Sequence, residues 1–350
     1  MNPEAPAPET DPVTRLHAAA SLSQEFTIME QIKAKFMRTQ RDDTLVAAMD
    51  ALLAAAVERD DVSRPPSFEN RGRGSGLVLI GPTGVGKSKS LERYFARHPV
   101  LKEFQNPASA SPLVSVSVPS PCTSMQLARS LLVATGYRVE RDLPSHRLWE
   151  MALDRLQLLR KFIIHFDEMQ HVVHNVSDKD LQQMADTLKN AMYNRRITLI
   201  LSGVPTLAPF IQFDAQLFRR MTIVAFEALG PQSFTNVLRM LRDYAGAAQL
   251  ELVAGDTEET PDFVPRLSHA VLNAFGYAIV LTQLAIEHAL QTNSETLPRE
   301  HFATVFARKT AFAADRNPFL VDHWHEIDCA KMFEKAEIAA PPAPARRRAK

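Results

Sequence analysis

The sequence predicts an α/β protein in which a mostly parallel, five-stranded sheet is covered by helices on both faces and precedes a smaller all-α domain. Two patterns lead to this prediction. Between residues 77 and 229 short apolar runs alternate with helical patterns, and beyond residue 229 only helical patterns continue. The length agrees, because 350 residues of which 45% are hydrophobic suffice for two cores.

The N-terminal residues predict a disordered start and then a helical extension. Residues 1–12 are acidic and proline-rich with almost nothing to bury, so we expect them to be disordered. Over residues 13–60 apolar side chains recur at helical spacing, which predicts two or three helices. The Pro- and Gly-rich stretch 60–76 is typical of a linker into the next domain.

The α/β domain is predicted to span residues 61–228. Its strands are predicted from short apolar runs and from alternating apolar residues, at 77–80, 112–121, 161–168, 197–203 and 222–229. Its helices are predicted from the helical spacing of apolar residues, at 86–97, 123–136, 147–160 and 180–195.

The rest of the chain predicts a helical domain of residues 229–314 and a C-terminal extension of residues 315–350. The helical patterns lie at 232–246, 265–275, 277–292 and 298–314. Residues 317–333 mix aromatic side chains with acids, which favours packing back onto the core over holding a partner or an adjacent subunit. The tail 341–350 is Pro- and Ala-rich and basic, so we expect disorder there.

Charge and cysteine content favour a cytoplasmic protein without a membrane partner. The formal net charge is zero, so affinity for nucleic acid has to come from local patches. Cys122 and Cys329 are far apart and lack metal-ligand spacing, which fits a reducing compartment. Neither a secretory signal nor an apolar run long enough for a membrane span is visible.

A glycine-rich turn separates the first predicted strand from its helix. The turn has the P-loop spacing and consists of Gly81, Pro82, Thr83, Gly84, Val85, Gly86, Lys87 and Ser88. Glycines let backbone N–H groups converge on phosphate oxygens at a helix N-terminus. Lys87 is expected to bridge the β- and γ-phosphates of ATP, and the Ser88 hydroxyl to bind Mg²⁺. The alternative is a chance glycine turn, which the flanking strand and helix disfavour.

A pair of carboxylates ends the third predicted strand, where ligands of open α/β sheets collect. Asp167 is expected to hold Mg²⁺ directly or through water, and Glu168 to polarise the attacking water, which implies hydrolysis. The alternative is two solvated acids at a strand end. His165, within the strand, is expected to be a packed core histidine, since the acids already fill the catalytic roles.

Two further positions complete the predicted catalytic set. Ser202 ends the fourth strand and either senses the γ-phosphate and orients the water or simply sits in a turn. Arg219 and Arg220 precede the last strand. They are either a solvated basic pair or, in a ring of ATPases, the source of an arginine that reaches a neighbour's γ-phosphate, with the choice between them open.

These motifs resemble those of the AAA+ ATPases, in the order P-loop (Walker A), acid strand (Walker B), serine, paired arginines and helical lid. More narrowly, "GPTGVGKSKSLERYF", "FDEMQHV", "LSGVP" and "QLFRRM" resemble the TniB/TnsC family of transposition ATPases, with MuB a more distant relative. The "DE-x-QH" after the acid strand and "RNPF" at 316–319 belong to the same likeness. The resemblance covers about residues 12–325 and is concentrated in 77–221.

The resemblance implies a protein that binds double-stranded target DNA as an ATP-dependent homo-oligomer, a ring or helical filament of six or seven subunits. It would recruit and activate a DDE transposase after a target-selection factor has chosen the site, and ATP hydrolysis would reset it. In one respect the chain departs from the superfamily. Residues 275–290 contain no arginine where many AAA+ lids carry a sensor arginine, so lid closure through that residue cannot be assumed.

DNA contacts of such a protein are expected to go mainly to the phosphate backbone. The candidates are the loop 117–124 together with Lys179, Lys189, Arg195 and Arg196, although the last three also fit a solvated helix end. The basic tail is another candidate. Two rival functions stay open at this point: an AAA+ loader or secretion-type ATPase, and a non-hydrolysing nucleotide-dependent scaffold.

Overall fold

The computed structural model describes residues 11–21, 23–173, 177–255 and 261–332. The chain divides into two units, of which one comprises residues 38–228 and the other combines residues 1–37 with residues 229–350. The boundary between residues 228 and 229 lies where the sequence places the start of the helical domain. The two units are described separately below.

The N-terminal helices are shared between the two units, although the sequence treats residues 13–60 as one extension. Helices α1 (Pro12–Ala20) and α2 (Gln24–Ala34) belong to the helical unit. Helix α3 (Gln40–Ala56) belongs to the α/β unit, because it packs on two strands of the sheet. Asp11 accepts a hydrogen bond from the Thr14 backbone nitrogen and caps α1. The predicted disordered start of residues 1–12 is therefore too long by Asp11 and Pro12.

The sheet of the α/β unit is parallel throughout, as the alternation of strands and helices predicts. Its strands are β1 (Gly76–Ile80), β2 (Leu113–Ser117), β3 (Ile163–Asp167), β4 (Thr198–Gly203) and β5 (Met221–Ala225). Their spatial order is β2-β3-β4-β1-β5. The carboxyl ends of β3, β4 and β1 therefore lie side by side in the middle of the sheet, the edge at which such folds bind ligands.

The helices of the α/β unit bury apolar side chains. After α3 they are α4 (Lys87–Arg97), α5 (Ser124–Ala134), α6 (Ser145–Leu158), α7 (Gln170–Val173), α8 (Asp178–Asn194), α9 (Ala208–Phe213) and α10 (Ala215–Phe218). The helices from α5 onwards share one core with the sheet. Leu127, Leu153, Leu188 and Leu201 are among the buried side chains of this core. The sequence does not predict α7, α9 and α10, because helices of four to six residues are too short to show a helical period.

Two observed strands end several residues earlier than predicted, and β3 ends one residue earlier, at Asp167. The prediction of 112–121 is wrong beyond Ser117, because Pro119 and Pro121 follow and proline has no N–H for the ladder. The prediction of 222–229 is wrong beyond Ala225. There the partner strand β1 ends at Ile80 and turns away, and the last ladder bond runs from the Phe226 nitrogen to the Ile80 oxygen at 2.7 Å.

The helical unit has its own core. Its remaining helices are α11 (Phe234–Ala247), α12 (Phe263–Ala270), α13 (Phe275–Gln291) and α14 (Arg299–Thr310). The unit also contains a parallel pair of short strands, β6 (Glu251–Leu252) and β7 (Thr296–Leu297). The expectation that strands stop after residue 229 is wrong to this extent, because a two-residue strand leaves no periodic pattern in the sequence.

The C-terminal segment packs back onto the helical unit, which confirms the favoured reading of residues 317–333 as far as the described residue 332. Phe319 is fully buried, with its ring 6.0 Å from the rings of Phe263 and of Phe302. Asn317 donates from Nδ2 to the Ala303 oxygen at 2.8 Å, and Arg266 donates from Nη1 to the Pro318 oxygen at 2.8 Å.

No single helix within residues 11–332, where the structure describes them, is long and apolar enough to cross a bilayer. Helices α12 and α13 pass that length and composition test only as a pair, with a bend of 109° between them. Most of the predicted disordered start and the whole of the tail 341–350 lie outside the described residues.

Candidate active site

The glycine-rich turn of residues 81–86 joins β1 to α4 at the carboxyl edge of the sheet. Gly84 and Gly86 have φ angles of 77° and 102°, a left-handed backbone that glycine adopts without steric cost. Gly81 is needed for space, because a Cβ at this position would lie 2.4 Å from the Phe226 carbonyl oxygen. The turn delivers the unpaired N–H groups at the start of an eleven-residue helix, a ready anion-binding arrangement.

The other residues of the turn present either backbone or side chain to this edge. Val85 is fully buried and its carbonyl oxygen accepts a hydrogen bond from Arg41 at 3.0 Å, so only its backbone is available to a ligand. Thr83 is exposed, and Pro82 and Ser88 are half-buried. Ser88 is the second residue of α4, so its hydroxyl starts from the helix N-terminus.

Lys87 is buried and points back over the turn. Its Nζ donates to the carbonyl oxygens of Gly81 at 2.8 Å and Pro82 at 3.0 Å. Burial lowers the pKa of Lys87, and the negative charges of Glu168 and Asp167 partly oppose that shift. The ammonium group therefore lies within electrostatic reach of both predicted carboxylates. The structure brings the P-loop and the acid strand together at one place.

Sheet register explains why these residues meet. Leu79 of β1 pairs with Ser202 of β4, and the next pair is Ile80 with Gly203. Immediately beyond, the Gly81 nitrogen donates to the Gly203 oxygen at 3.2 Å. Since β3 lies on the other side of β4, its last residue Asp167 reaches the same edge.

A chain of hydrogen bonds, fully buried between His165 and Ser202, runs from β2 across β3 to β4. Ser202 donates from Oγ to Oδ1 of Asp167. Because the only hydrogen of the Ser202 hydroxyl is used in this bond, Ser202 Oγ accepts from Nε2 of His165 at 3.0 Å. On the other side of the ring, Nδ1 of His165 accepts from Oγ of Ser115 at 2.8 Å. This polarity assigns the neutral Nε2–H tautomer to His165.

His165 is a core histidine, as predicted. It is 2% exposed, and burial lowers its pKa to about 4, against the opposing effect of Asp167. Because the ring is held neutral and hydrogen-bonded at both nitrogens, it supports the side chains on either side of it. Ser115 was not expected here. The alternation of small polar and apolar residues in "LVSVS" was its only sequence signal.

Glu168 follows the strand in a strained conformation, with φ of 59°. One of its carboxylate oxygens accepts a hydrogen bond from Nε2 of Gln170, and Nε2 of His171 lies 4.0 Å from the same oxygen. The Glu168 side chain is 40% exposed, so it is accessible beside the partly buried Asp167–Ser202 pair. Gln170 belongs to the "DE-x-QH" motif but has no role assigned from the sequence.

The donor set at this edge suits Mg²⁺ in combination with a nucleotide. Ser88 offers a hydroxyl and Asp167 a carboxylate, both hard oxygen ligands. In the described part of the chain no group of three or more His, Cys, Asp or Glu side chains is arranged to hold a metal ion. Mg²⁺ commonly uses one or two protein ligands and completes its shell with phosphates and waters, so the two residues fit.

The paired arginines differ in their surroundings. Arg219 follows α10 as its C-cap and is exposed, and its side chain has no hydrogen bond or ion pair with any described residue. Arg220 is half-buried, donates from Nη1 to the Gly74 oxygen at 3.4 Å and lies 5.8 Å from the Tyr193 ring centroid. Arg219 is thus available to a partner, while Arg220 is engaged within its own unit.

Three of the basic residues predicted to contact DNA are paired with acids of the same unit. Lys189 lies 2.7 Å from Asp214 and 2.8 Å from Asp186. Arg195 and Arg196 contact Asp154 and Asp60, at 2.8 Å and 3.0 Å. Lys179, by contrast, lies exposed near the start of α8. These pairings favour the alternative in which Lys189, Arg195 and Arg196 belong to a solvated helix end.

The comparisons with known proteins give a family and a fold. The family profile described as "TniB: Bacterial TniB protein" matches residues 28–229, which is more than half of the 350 residues. No curated protein matches the chain.

Three solved structures are similar in fold. The Aeropyrum pernix ORC1 protein in complex with DNA is 19% identical with a TM-score of 0.54, over 80% of this chain and 68% of that one. Cdc6p from Pyrobaculum aerophilum is 13% identical with a TM-score of 0.54, over 79% and 69%. The Aeropyrum pernix ORC2 protein, in ADPNP–ADP complexes, is 14% identical with a TM-score of 0.50, over 76% and 66%. The chain therefore has the AAA+ P-loop ATPase fold, a parallel five-stranded sheet with flanking helices and a helical C-terminal region.

Proposed function

This chain belongs to the TniB family, and we propose that it is a Mg²⁺-dependent ATPase that regulates DNA transposition. One observation carries the ATPase part: Lys87, Asp167, Glu168 and Ser202 meet at one edge of the sheet, beside a turn built to bind phosphate. The AAA+ fold supports the same conclusion.

Each residue has a separate task in the proposed reaction. The backbone N–H groups of residues 83–88 and the Lys87 ammonium bind the phosphates of ATP. Ser88 and Asp167 hold Mg²⁺, which neutralises charge on the phosphate oxygens when bound. Glu168 orients the attacking water and accepts its proton on a carboxylate oxygen. Ser202 fixes the Asp167 carboxylate through its hydrogen bond.

Arg219 is the proposed arginine finger. Its exposure and lack of a described partner support a role at a neighbouring subunit's γ-phosphate, where it would stabilise transition-state charge. Arg220 is assigned to the fold, because it already binds the Gly74 oxygen.

Mixed oligomers test this assignment. Subunits carrying Arg219→Ala keep an intact Glu168, and subunits carrying Glu168→Gln keep an intact Arg219. Each variant alone should be inactive, and mixing them should restore hydrolysis at junctions that combine the two intact groups. Arg220→Ala is the matched control. It should lower the stability of its own unit, and its subunits should still complement the Glu168→Gln subunits in the mixture. Failure of the mixture to recover activity would exclude a finger supplied by the neighbour.

The DNA part of the proposal rests on the family. The protein would assemble on double-stranded target DNA as a ring or helical filament of six or seven subunits, through contacts mainly to the backbone. It would then recruit and activate a DDE transposase at a site chosen by a target-selection factor, and hydrolysis would release it. We place this activity in the cytoplasm, in keeping with two buried free thiols, Cys122 and Cys329.

The Glu168→Gln variant is the principal test. Turnover of ATP should fall at least about hundredfold, since the general base is lost while the phosphate-binding turn is intact. ATP-dependent assembly on duplex DNA, measured by light scattering and negative-stain microscopy, should persist. Glu92→Gln, at an exposed position of α4, is the matched control and should behave as the parent.

Other outcomes identify the rivals. A parent protein that assembles but releases no phosphate would be a non-hydrolysing scaffold. Hydrolysis without rings or filaments on DNA would favour an AAA+ loader or a secretion-type ATPase. A protein that stays monomeric with ATP, Mg²⁺ and duplex DNA would contradict the proposal as a whole.

A further inference from the structure

Gln170 is the buried polar side chain closest in sequence to Glu168, and both ends of its amide are engaged. Gln170 is 4% exposed and is the first residue of α7, two positions after Glu168. Its Oε1 accepts a hydrogen bond from the Val204 backbone nitrogen at 3.2 Å. Its Nε2 donates to a carboxylate oxygen of Glu168.

The orientation of this amide follows from its partners. A backbone N–H can only donate, so the atom facing Val204 is the oxygen, and the NH₂ group faces Glu168. A carboxylate can accept this bond without rearrangement. The amide therefore links the carboxylate to the backbone immediately after β4, in one unambiguous direction.

Two backbone features show that the surroundings accommodate this link. The Met169 backbone nitrogen donates to the Ser202 carbonyl oxygen at 2.9 Å. This bond attaches the turn after β3 to the last residues of β4. A Cβ on Gly203 would lie 2.6 Å from Oε1 of Gln170. A larger residue at position 203 would displace the amide, so glycine at that position makes room for it.

We propose that Gln170 is a positioning residue that holds the Glu168 carboxylate in place by tying it to the Val204 backbone. The inference deepens the proposed ATPase function and rests on Glu168 being its general base. Glu168 has a strained backbone and a partly exposed side chain, so it needs an outside anchor to stay in one orientation. Gln170 supplies that anchor from a buried position.

The anchor also connects Glu168 with the segment that carries the arginines. Val204 begins the connection that runs through the 3-10 helix Pro205–Leu207, α9 and α10 to Arg219. A displacement of this connection at its first residue would reach Glu168 through one side chain. The carboxylate therefore does not move independently of the start of the arginine-bearing segment.

Partner-swap variants test the hydrogen bond itself, without nucleotide. Gln170→Glu keeps an acceptor for Val204 but sets a second carboxylate against Glu168, and the thermal midpoint should fall by a few degrees. In the double variant Glu168→Gln/Gln170→Glu, the amide and the carboxylate exchange places and can bond again. We expect its midpoint to return to within about one degree of that of Glu168→Gln. A double variant that shows the full, additive loss would overturn the inference.

Turnover measurements test the positioning role. Gln170→Met fills similar space without the amide, and kcat should fall about tenfold to a hundredfold, as expected for a misplaced catalytic group. KM and the dissociation constant of a fluorescent ATP analogue should stay within about twofold, because Gln170 does not belong to the phosphate-binding turn. Gln212→Met, at an exposed site on α9, is the matched control.

The outcomes test the positioning role of Gln170 separately from the proposed ATPase function on which it rests. If Glu168→Gln abolishes turnover while Gln170→Met keeps the parent's kcat, the positioning role is wrong and the ATPase proposal stands. A loss of ATP affinity in proportion to kcat would also overturn it, since that indicates general damage to the site. If Glu168→Gln hydrolyses ATP like the parent, the general-base role of Glu168 in the proposed function fails, and the midpoint swap still reports whether the Gln170–Glu168 bond exists.

Discussion

The two units each contain a group of polar side chains in their interior, and the two groups bond to different partners. In the helical unit, Arg266 and Asn317 donate to main-chain oxygens of Pro318 and Ala303, and so hold the returning C-terminal segment. In the α/β unit, the Ser115, His165, Ser202 and Asp167 side chains bond mainly to one another. A buried network of side chains is costly to satisfy, and its position beneath the carboxyl ends of β3 and β4 agrees with the site proposed there.

The largest expected effect lies in the helical unit, where aromatic packing carries the stability. Phe319→Ala should cost about 3–5 kcal/mol in the free energy of unfolding, because it empties a fully buried site between aromatic rings. Urea unfolding followed by fluorescence measures this loss. Leu320→Ala, at a neighbour that is 49% exposed, should cost less than about 1 kcal/mol. Equal losses at the two positions would break the comparison.

The counterpart in the α/β unit is a substitution that removes function and spares stability. Lys87→Ala should weaken ATP binding at least about hundredfold, or about 2.8 kcal/mol, and with it nucleotide-dependent assembly on DNA. Unfolding free energy should hardly fall, because burial disfavours the Lys87 charge in the absence of phosphate.

Titration with a fluorescent ATP analogue and urea unfolding of the same sample separate the two effects of Lys87→Ala. Lys89→Ala, two residues along α4 and exposed, is the control and should bind ATP as the parent does. A Lys87→Ala protein that coats DNA normally would contradict the proposed coupling.

The pH dependence of stability sharpens the comparison further. The folded-state pKa of His165 is about 4, below the ordinary value of 6.5, so between these values the unfolded chain binds a proton that the folded chain does not. Lowering the pH from 7 to 5 should therefore remove about 2 kcal/mol of stability through His165. His165→Asn should abolish this part of the pH dependence, as measured by urea unfolding at each pH.

The exposed His146 provides a control for that series. His146→Asn should follow the parent's stability curve at every pH. If His165→Asn follows it as well, the histidine is not held neutral by burial, and the buried network would have to be assigned differently.

The smallest expected effect concerns an ion pair at the edge of the α/β unit. Lys189→Met should change the unfolding free energy by about 1 kcal/mol, because its pair with Asp186 is partly exposed. Its second partner Asp214 is only 11% exposed, but that carboxylate keeps the hydrogen bonds from the Gln216 and Leu217 nitrogens. DNA affinity and its salt dependence should not change. A drop of about one in the slope of log K against log salt would instead identify Lys189 as a phosphate contact.

The sequence predicts the α/β fold because its signals are local. Each strand is a short apolar run beside a turn, and Gly81 to Ser88 carry the P-loop spacing without any knowledge of the fold. The strand order β2-β3-β4-β1-β5 has no such local signal, since pairing joins residues far apart in the chain. The two-residue strands β6 and β7 and the helices α7, α9 and α10 are too short for periodicity.

The residues of the candidate site also fall into two groups, those that a local sequence pattern predicts and those that only the fold identifies. Residue type and spacing suffice to predict Lys87, Asp167 and Glu168 as site residues. The difference between Arg219 and Arg220 needs the fold, because it depends on which side chain reaches the Gly74 oxygen. Gln170 is missed for a similar reason, since an isolated glutamine has no function until its partners at Glu168 and Val204 are known.

Two glycines of the glycine-rich turn exclude L-residues for different reasons, Gly81 for lack of space and Gly86 for its backbone conformation. A D-amino acid introduced by chemical synthesis distinguishes the two reasons. At Gly81 any L-side chain collides with the Phe226 carbonyl, whereas at Gly86 a Cβ meets nothing within 4 Å and only the φ of 102° stands in the way. A D-amino acid prefers that mirror-image region of backbone space. A semisynthetic protein with D-alanine at position 86 should therefore keep the shape of its nucleotide cradle, while the natural enantiomer at the same position should distort it.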